Sequence, residues 1–156
     1  DLFNAGQRPA VNVGISVSRV GGTAQNKAMK KVGGNLRLDL AQYRALAAFA
    51  QFSTDLDAAT KQQIDRGSRM VELFKQGQFQ PMPVENQVSI LWAGTKGYLD
   101  DVPVAKIVPF ERDFLDFMEK SAKKILTALA KERQITPEIE EGLKKAIETF
   151  KKSWNA

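Results

Sequence analysis

Apolar residues recur at spacings of three and four along most of this sequence, which is the pattern of amphipathic helices. One such stripe runs over 36–50, and a second follows Asp57, a residue type that favours helix N-caps. A third begins at Val84, and a long one runs from Phe110 to Leu129. A last helix starts at Thr136-Pro137-Glu138, where a capping hydroxyl precedes a proline and an acid suited to the first turn. With a short helical stretch over 24–32, the pattern predicts an all-α bundle of about five to seven helices.

The first 22 residues have a different pattern. From Arg8 to Val20, apolar and polar residues alternate, which predicts one half-buried, extended strand that ends at Arg19. The apolar side of this strand carries Val11, Val13, Ile15 and Val17. Because a lone strand leaves its backbone groups without partners, we expect it to lie against the helices or to belong to a sheet completed elsewhere.

Prolines and glycines set the predicted ends of the helices. We expect the helix after Asp57 to end by Gly77 and the proline-rich segment 81–83, and the next helix to close near Gly97. Pro103 and Pro109 are predicted to bracket a short connector.

Composition then limits the chemistry. The chain has 156 residues, 43% of them hydrophobic, which is enough to build a core without covalent cross-links. It contains neither cysteine nor histidine. Disulfides, cysteine-ligated zinc and catalytic triads that need histidine are therefore excluded within this chain. Any chemistry must use carboxylates, lysine, arginine, tyrosine or the backbone.

The net charge of +5 raises the alternative of a basic helical protein that binds nucleic acid. The excess is spread along the sequence, and charges of both signs alternate on the C-terminal helical stretches, which is typical of a solvated face. No apolar run approaches the roughly 20 residues that cross a bilayer. We therefore expect no nucleic-acid partner and no direct insertion into a membrane.

Few residues are candidates for a functional site. The adjacent acids Asp100 and Asp101 are expected to point apart and to serve a turn or a helix end. The aromatic residues at helical spacing are expected in the core: Phe110, Phe114, Phe117, Phe150 and Trp154. Arg19, beside Ser18 and before two glycines, is either a solvated surface residue or a guanidinium aimed at a phosphate.

The wording of several blocks resembles the α subunit of rotary F-type ATP synthases. The block Arg8 to Gly21, which reads RPAVNVGISVSRVG, resembles the signature near the end of that subunit's nucleotide-binding domain. The resemblance continues through DLAQYRALAAFAQF at 39–52, DLDAAT at 55–60, KQGQFQP at 75–81 and GYLDD at 97–101. The related β subunit lacks the SVSRVG block, and its acidic run is not found here.

The resemblance implies a fragment of a larger subunit. We expect residues 1–22 to be the end of the nucleotide-binding domain and residues 23–156 to be the C-terminal helical bundle. A chain that starts with Asp1 rather than Met agrees with a processed or shortened product. Two alternatives are a free-standing helical scaffold and the basic nucleic-acid binder.

The resemblance also implies roles for individual residues. Arg19 is expected to be an arginine finger that reaches the terminal phosphate of ATP in the catalytic site on the β subunit, with Ser18 and Val17 beside it at the interface. The adenine end of a non-catalytic nucleotide site is expected at five residues: Phe3, Arg8, Pro9, Gln76 and Gln78. No metal ligand is expected in this chain.

The remaining implications concern the whole complex. ATP or ADP with Mg²⁺ is expected in the full subunit and not on this fragment, because the sequence has no phosphate loop of its own. The implied partners are the β subunit, the central γ shaft and the peripheral stalk. The implied activity is proton-coupled ATP synthesis and hydrolysis, with the fragment alone inactive. The implied location is peripheral, on the cytoplasmic face of a bacterial inner membrane or the matrix or stroma side of an organelle membrane.

Overall fold

The fold is that of an all-α protein, as the apolar pattern predicts. A computed structural model describes residues 1–13, 18–34, 36–50 and 56–154, and no strand occurs in these ranges. The helices are α1 Arg19–Ala24, α2 Lys27–Gly33, α3 Leu36–Ala50, α4 Ala58–Leu73, α5 Val84–Thr95, a 3₁₀ turn Val104–Lys106, α6 Ile107–Ser121, α7 Lys123–Glu132 and α8 Pro137–Ser153.

The predicted strand is wrong in the described part of its range. Residues 8–13 form bends and a turn, and Arg19 and Val20 begin α1 instead of ending a strand. Residues 14–17, which include Val17, lie outside the described residues. An isolated strand leaves its backbone groups unpaired, whereas a capped helical turn pairs several of them locally.

Two predicted helix starts are confirmed by their caps. The Asp57 carboxylate accepts from the Thr60 backbone N–H at 2.9 Å, and α4 begins one residue later. The Thr136 hydroxyl accepts from the Ile139 N–H at 3.3 Å, and Pro137 occupies the first position of α8. These caps form within a single turn, so the local sequence is sufficient to predict them.

The long helix predicted from Phe110 to Leu129 is in fact two helices. The backbone leaves helical geometry at Ala122, with φ −128° and ψ 23°, and α7 starts at the next residue. A straight helix over 107–132 would be roughly 39 Å long, against roughly 26 Å for α8. The break lets α7 pack on α5 and α8 as well as on α6.

Pro109 does not bracket a connector, because it lies in the first turn of α6. A proline is tolerated there, since the first backbone N–H groups of a helix have no partner within the helix. The short predicted helix over 24–32 is also divided. Gln25 ends α1, and the amide oxygen of Asn26 caps α2 by accepting from the Met29 N–H at 2.8 Å.

The core extends from α2 to α8, and its part between α6 and α8 is rich in aromatic rings. Phe110 is fully buried, with its ring centroid 5.3 Å from that of Phe150 and 4.9 Å from that of Trp154. Phe114 and Phe150 are also buried, and Phe117 and Trp154 pack against them partly exposed. The prediction that these aromatics form the core is confirmed.

Helices α3 and α4 approach each other at a glycine. A Cβ built on Gly67 would overlap the side chain of Tyr43, so the absence of a side chain at 67 lets the Tyr43 ring lie directly on α4. This contact joins the N-terminal helices to the rest of the bundle. Among the described residues, no helix is long and apolar enough to cross a membrane.

Charged contacts tie the ends of several helices together. Glu140 in the first turn of α8 accepts from Lys96 at 2.9 Å, from Lys31 at 3.1 Å and from the Trp92 indole at 3.4 Å. The hydrogen bonds from Lys96 and Lys31 lower the pKa of Glu140 to about 2. Glu140 therefore links α2, α5 and α8 through one ionised carboxylate.

Asp100 and Asp101 point in different directions, as predicted. Asp100 pairs with the Arg66 guanidinium on α4, with Nε 3.0 Å from Oδ1. Asp101 pairs with Lys151 on α8 at 2.5 Å. Each acid serves a separate helix contact, so they do not form an acid–base pair.

Candidate functional site

Arg19 is presented at the surface on the short helix α1. Ser18 caps this helix by accepting from the Gly21 N–H at 2.9 Å, and the Thr23 hydroxyl donates to the Arg19 carbonyl at 2.9 Å. α1 has no buried residue, and Val20 beside the arginine is 81% exposed. Within the described ranges, the Arg19 guanidinium has no hydrogen bond or ion pair.

The structure brings three of the predicted adenine residues together. The Arg8 guanidinium lies over the Phe3 ring, with its carbon 4.2 Å from the ring centroid. The Arg8 carbonyl accepts from the backbone N–H of Gln76 at 2.9 Å. The first residues and the stretch after α4, far apart in sequence, therefore form one surface that contains Phe3, Arg8 and Gln76.

A buried glutamine anchors the first residues to the bundle. Gln7 is 6% exposed; its amide nitrogen donates to the Val11 carbonyl at 2.9 Å, and its amide oxygen accepts from Arg44 on α3 at 3.4 Å. The neighbouring Arg8 and Pro9 remain exposed. This arrangement holds the backbone of residues 7–11 and leaves the Arg8 side chain free to meet a ligand. Gln7 was not among the predicted site residues.

Residues 75–82, here called the 75–82 segment, carry the other two predicted glutamines. Gln76 and Gln78 are exposed, and the Gln76 side-chain amide donates to the Gln80 carbonyl at 2.6 Å. Phe79 is 92% exposed and has a positive φ of 60°, a conformation uncommon for a bulky residue. Sequence reasoning did not single out Phe79, because nothing in the apolar pattern signals its backbone geometry.

A buried acid lies beneath this segment and was also missed. Glu111 on α6 is 8% exposed and lines a cavity together with Lys75, Gln76 and Gln87. Burial raises the pKa of Glu111 to about 7. A signal existed in the sequence, because Ile107, Glu111 and Phe114 share one helical face by their spacing.

The predicted site residues thus form two groups in the part of the protein that the structure describes. Phe3, Arg8 and Gln76 are joined by contacts, with Pro9 and Gln78 adjacent to them in sequence. Arg19 and Ser18 form the second group on α1, and Val17 is not described. In the same ranges, no cluster of three or more acidic side chains is placed to hold a metal ion.

The arrangement suits recognition of anions and flat rings. Arg8 stacked on Phe3 presents a cation and an aromatic face together, and exposed glutamine amides can both donate and accept. Arg19 offers a planar guanidinium, whose fork matches phosphate oxygens. Neither group contains a nucleophile with an activating base. These two groups are therefore suited to binding and charge stabilisation.

Comparisons with known proteins agree across the whole sequence. The sequence profile of the family described as "ATP synthase alpha/beta chain, C terminal domain" matches residues 25–150. ATP synthase subunit alpha of Paenarthrobacter aurescens is 59% identical over 99% of this chain and 28% of its own length. The subunit of the same name from Streptomyces avermitilis is 56% identical over 99% of this chain and 29% of its own. The chain thus spans less than a third of the curated relatives that it matches.

Proposed function

The chain belongs to the family of C-terminal domains of ATP synthase alpha and beta subunits, and from this we propose that it works as the C-terminal part of an ATP synthase α subunit. The observation that carries the proposal is the identity of 56–59% to α subunits over nearly every residue. In the whole complex it would support proton-coupled ATP synthesis and hydrolysis, while the 156 residues alone would have no activity.

We assign Arg19 the role of an arginine finger toward nucleotide held by the β subunit. Its exposure, its position next to the Ser18 cap and its freedom from an acidic partner among the described residues support this role. A guanidinium without an acidic partner among the described residues is available to a phosphate on a neighbouring subunit. Ser18 and Val17 would lie at the same interface, with the finger on the first residue of a short helix instead of at a strand end.

The second group would hold the adenine end of a non-catalytic nucleotide. Arg8 and Phe3 offer a cation and a ring face, and Gln76 and Gln78 offer amides near the backbone link to Arg8. Pro9 would fix the backbone beside them. The phosphate groups, with Mg²⁺, would need residues of the full subunit, because this sequence contains no phosphate loop.

The domain division and the surroundings follow from the same proposal. Residues 1–22 would close the nucleotide-binding domain, and residues 23–156 would form the helical domain. The partners would be the β subunit, the central γ shaft and the peripheral stalk. The complex would lie on the cytoplasmic face of a bacterial membrane, or on the corresponding side of an organelle membrane, with this chain peripheral to it.

The test is Arg19→Ala in the assembled enzyme. We expect steady-state ATP hydrolysis to fall by a factor on the order of a thousand, because the transition state loses its fixed positive charge. The change is on a surface helix without buried residues, so the fold of this chain should be unaffected. Arg112→Ala is the matched control, since Arg112 is an exposed arginine already paired with Asp113. Hydrolysis near the wild-type rate in an Arg19→Ala complex of normal composition would refute the finger.

A further inference from the structure

The two ends of the 75–82 segment, at Lys75, Gln76 and Met82, line a cavity of about 130 Å³ between the end of α4, α5 and α6. Most of the wall is apolar and comes from side chains such as Leu73, Met82 and Ile90. The polar part is made by Lys75, Gln76, Gln87 and Glu111. The space is far larger than the minimum that a water molecule needs, so the polar groups have room to interact through solvent.

Glu111 is placed on the side of this cavity formed by α6. It is 8% exposed, and within the described residues its carboxyl has no hydrogen bond or ion pair. Its pKa is raised to about 7 by desolvation. A carboxyl in such a place is stable when neutral, and once ionised it needs new donors or water.

The two glutamines in the wall are complementary to a neutral carboxyl. The side-chain amide of Gln76 donates to the Gln80 carbonyl at 2.6 Å, and that of Gln87 donates to the Met82 carbonyl at 2.7 Å. The amide oxygen of each can only accept, so it can take a hydrogen bond from a donor in the cavity. A protonated Glu111 can supply an O–H, directly or through water, whereas an ionised one can only accept.

Among the described residues, only one other charged side group lines the cavity. This is Lys75, whose ammonium is bound to Glu72 at 2.6 and 2.8 Å. Helix α5 faces the cavity with uncharged side chains, and no described residue of the 3₁₀ turn, α7 or α8 lines it. An ionised Glu111 would therefore compete with Glu72 for Lys75, or draw solvent under the segment.

The 75–82 segment is the part of the cavity wall that can rearrange when Glu111 ionises. It has no regular secondary structure, its residues 76–80 are exposed, and it follows α4 and precedes α5, which are continuous helices. Exposed, irregular backbone rearranges at lower free-energy cost than packed helices.

We propose that Glu111 is a positioning residue for the 75–82 segment, which takes one arrangement over the neutral carboxyl and another over the ionised one. This inference rests on the proposed function only where it touches nucleotide. If Gln76 and Gln78 contact adenine, the protonation of Glu111 sets how they are presented and makes the affinity of that site depend on pH. The coupling between Glu111 and the segment does not itself need nucleotide.

The experiment is a pH titration of this protein by NMR, without nucleotide, from about pH 5.5 to 8.5. The ¹³C shift of the Glu111 carboxyl carbon reports its ionisation directly, and the amide signals of Gln76 and Gln78 report the segment. In the wild type we expect both to change with one common midpoint near 7. In Glu111→Gln, which stays neutral, the amide signals should remain at their low-pH positions throughout.

Asp116→Asn is the matched control, because Asp116 is an exposed acid on the same helix, paired with Lys120. It should leave the midpoint of the segment unchanged. A Glu111 carboxyl that titrates near its ordinary value would overturn the proposal, and so would one that titrates near 7 while the amides stay still. Both readings come from the wild type and hold even if Glu111→Gln does not fold.

A second measurement separates this inference from the proposed function. In the full-length subunit, nucleotide affinity at the non-catalytic site should change across the same pH range and should not change in Glu111→Gln. A segment that titrates while nucleotide affinity stays constant would support the Glu111 coupling and remove Gln76 and Gln78 from the nucleotide site.

Discussion

The first 50 residues and the last 70 differ in how many side chains their helices bury. In the N-terminal region α1 buries no residue, α2 buries Ala28 and Val32, and α3 buries only Leu36 and Leu40 among its 15 residues. In the C-terminal region α6 and α8 each bury five. Yet the motifs that resemble the α subunit most specifically lie at 8–21 and 39–52. The blocks with the most specific resemblance therefore lie in the region where the fewest side chains are buried.

The contrast follows from what each kind of position demands. A core accepts many apolar side chains of suitable size, so its sequence can vary while the fold stays the same. An exposed residue such as Arg19, on a helix without buried residues, is not required by packing among the described residues. Under the proposed function, the identity of such residues is set by their contacts with other subunits and with ligands of the whole complex.

The sharpest test of this contrast compares truncations in the two regions. Phe110→Ala should lower the free energy of unfolding by about 3–5 kcal/mol, because a buried ring in contact with Phe150 and Trp154 is removed. Leu38→Ala on α3, where the leucine is 60% exposed, should change it by less than about 0.5 kcal/mol. Urea unfolding followed by circular dichroism measures both. Equal effects would show that the N-terminal region carries core that the burial pattern does not reveal.

A smaller effect is expected at the contact that joins the two regions. Gly67→Ala should cost about 1–3 kcal/mol, because the added methyl group overlaps Tyr43 and must push α3 away. The matched change is Gly142→Ala on α8, whose methyl group would lie 3.1 Å from Cδ1 and Cγ1 of Ile125, a side chain that can shift slightly. Since alanine favours helix, this variant should range from neutral to a gain of up to about 1 kcal/mol. Thermal unfolding of the pair gives the comparison, and a neutral Gly67→Ala would mean that α3 is not held closely against α4.

The smallest effect concerns the charged link between α2 and the C-terminal helices. Glu140→Gln should destabilise the protein by about 1 kcal/mol at pH 7, since the carboxylate is partly exposed and screened. The pKa of Glu140 is about 2 in the folded state, below its ordinary 4.5. The unfolded state therefore binds the proton first as the pH falls, and this stabilisation, present above about pH 4.5, is lost toward pH 2.

The difference between wild type and Glu140→Gln should accordingly shrink between about pH 5 and pH 2.5 in urea unfolding. Glu141→Gln is the control, because Glu141 is an exposed acid that pairs along its own helix with Lys145. A wild-type advantage over Glu140→Gln that stays constant down to about pH 2.5 would contradict the assignment of the shifted pKa to this carboxylate.

What the sequence could predict depended on whether the cause was local. The all-α class, the caps at Asp57 and Thr136 and the aromatic core follow from periodicity and from single turns, and these predictions are confirmed. The break at Ala122 depends on which helices α7 must reach, so no local signal marks it. The predicted strand is wrong at Arg19, because the alternating pattern does not show that Ser18 caps a short helix that begins there.

The candidate site was less predictable for the same reason. Resemblance pointed to Phe3, Arg8 and Gln76, but their mutual contacts arise only when the protein folds. The role of Glu111 could have been suspected from its place on the buried face of α6. Its raised pKa could not, because that depends on the wall of a cavity built by three separate segments.

The hydrogen bond from the Gln76 backbone N–H to the Arg8 carbonyl affects how variants at these two positions can be interpreted. It joins two distant stretches through backbone atoms alone, so substitutions other than proline at 76 keep both its donor and its acceptor. A library of variants at these two positions would therefore report on ligand recognition while the backbone link between the two stretches is preserved. Proline at 76 removes the donor and would break this hydrogen bond.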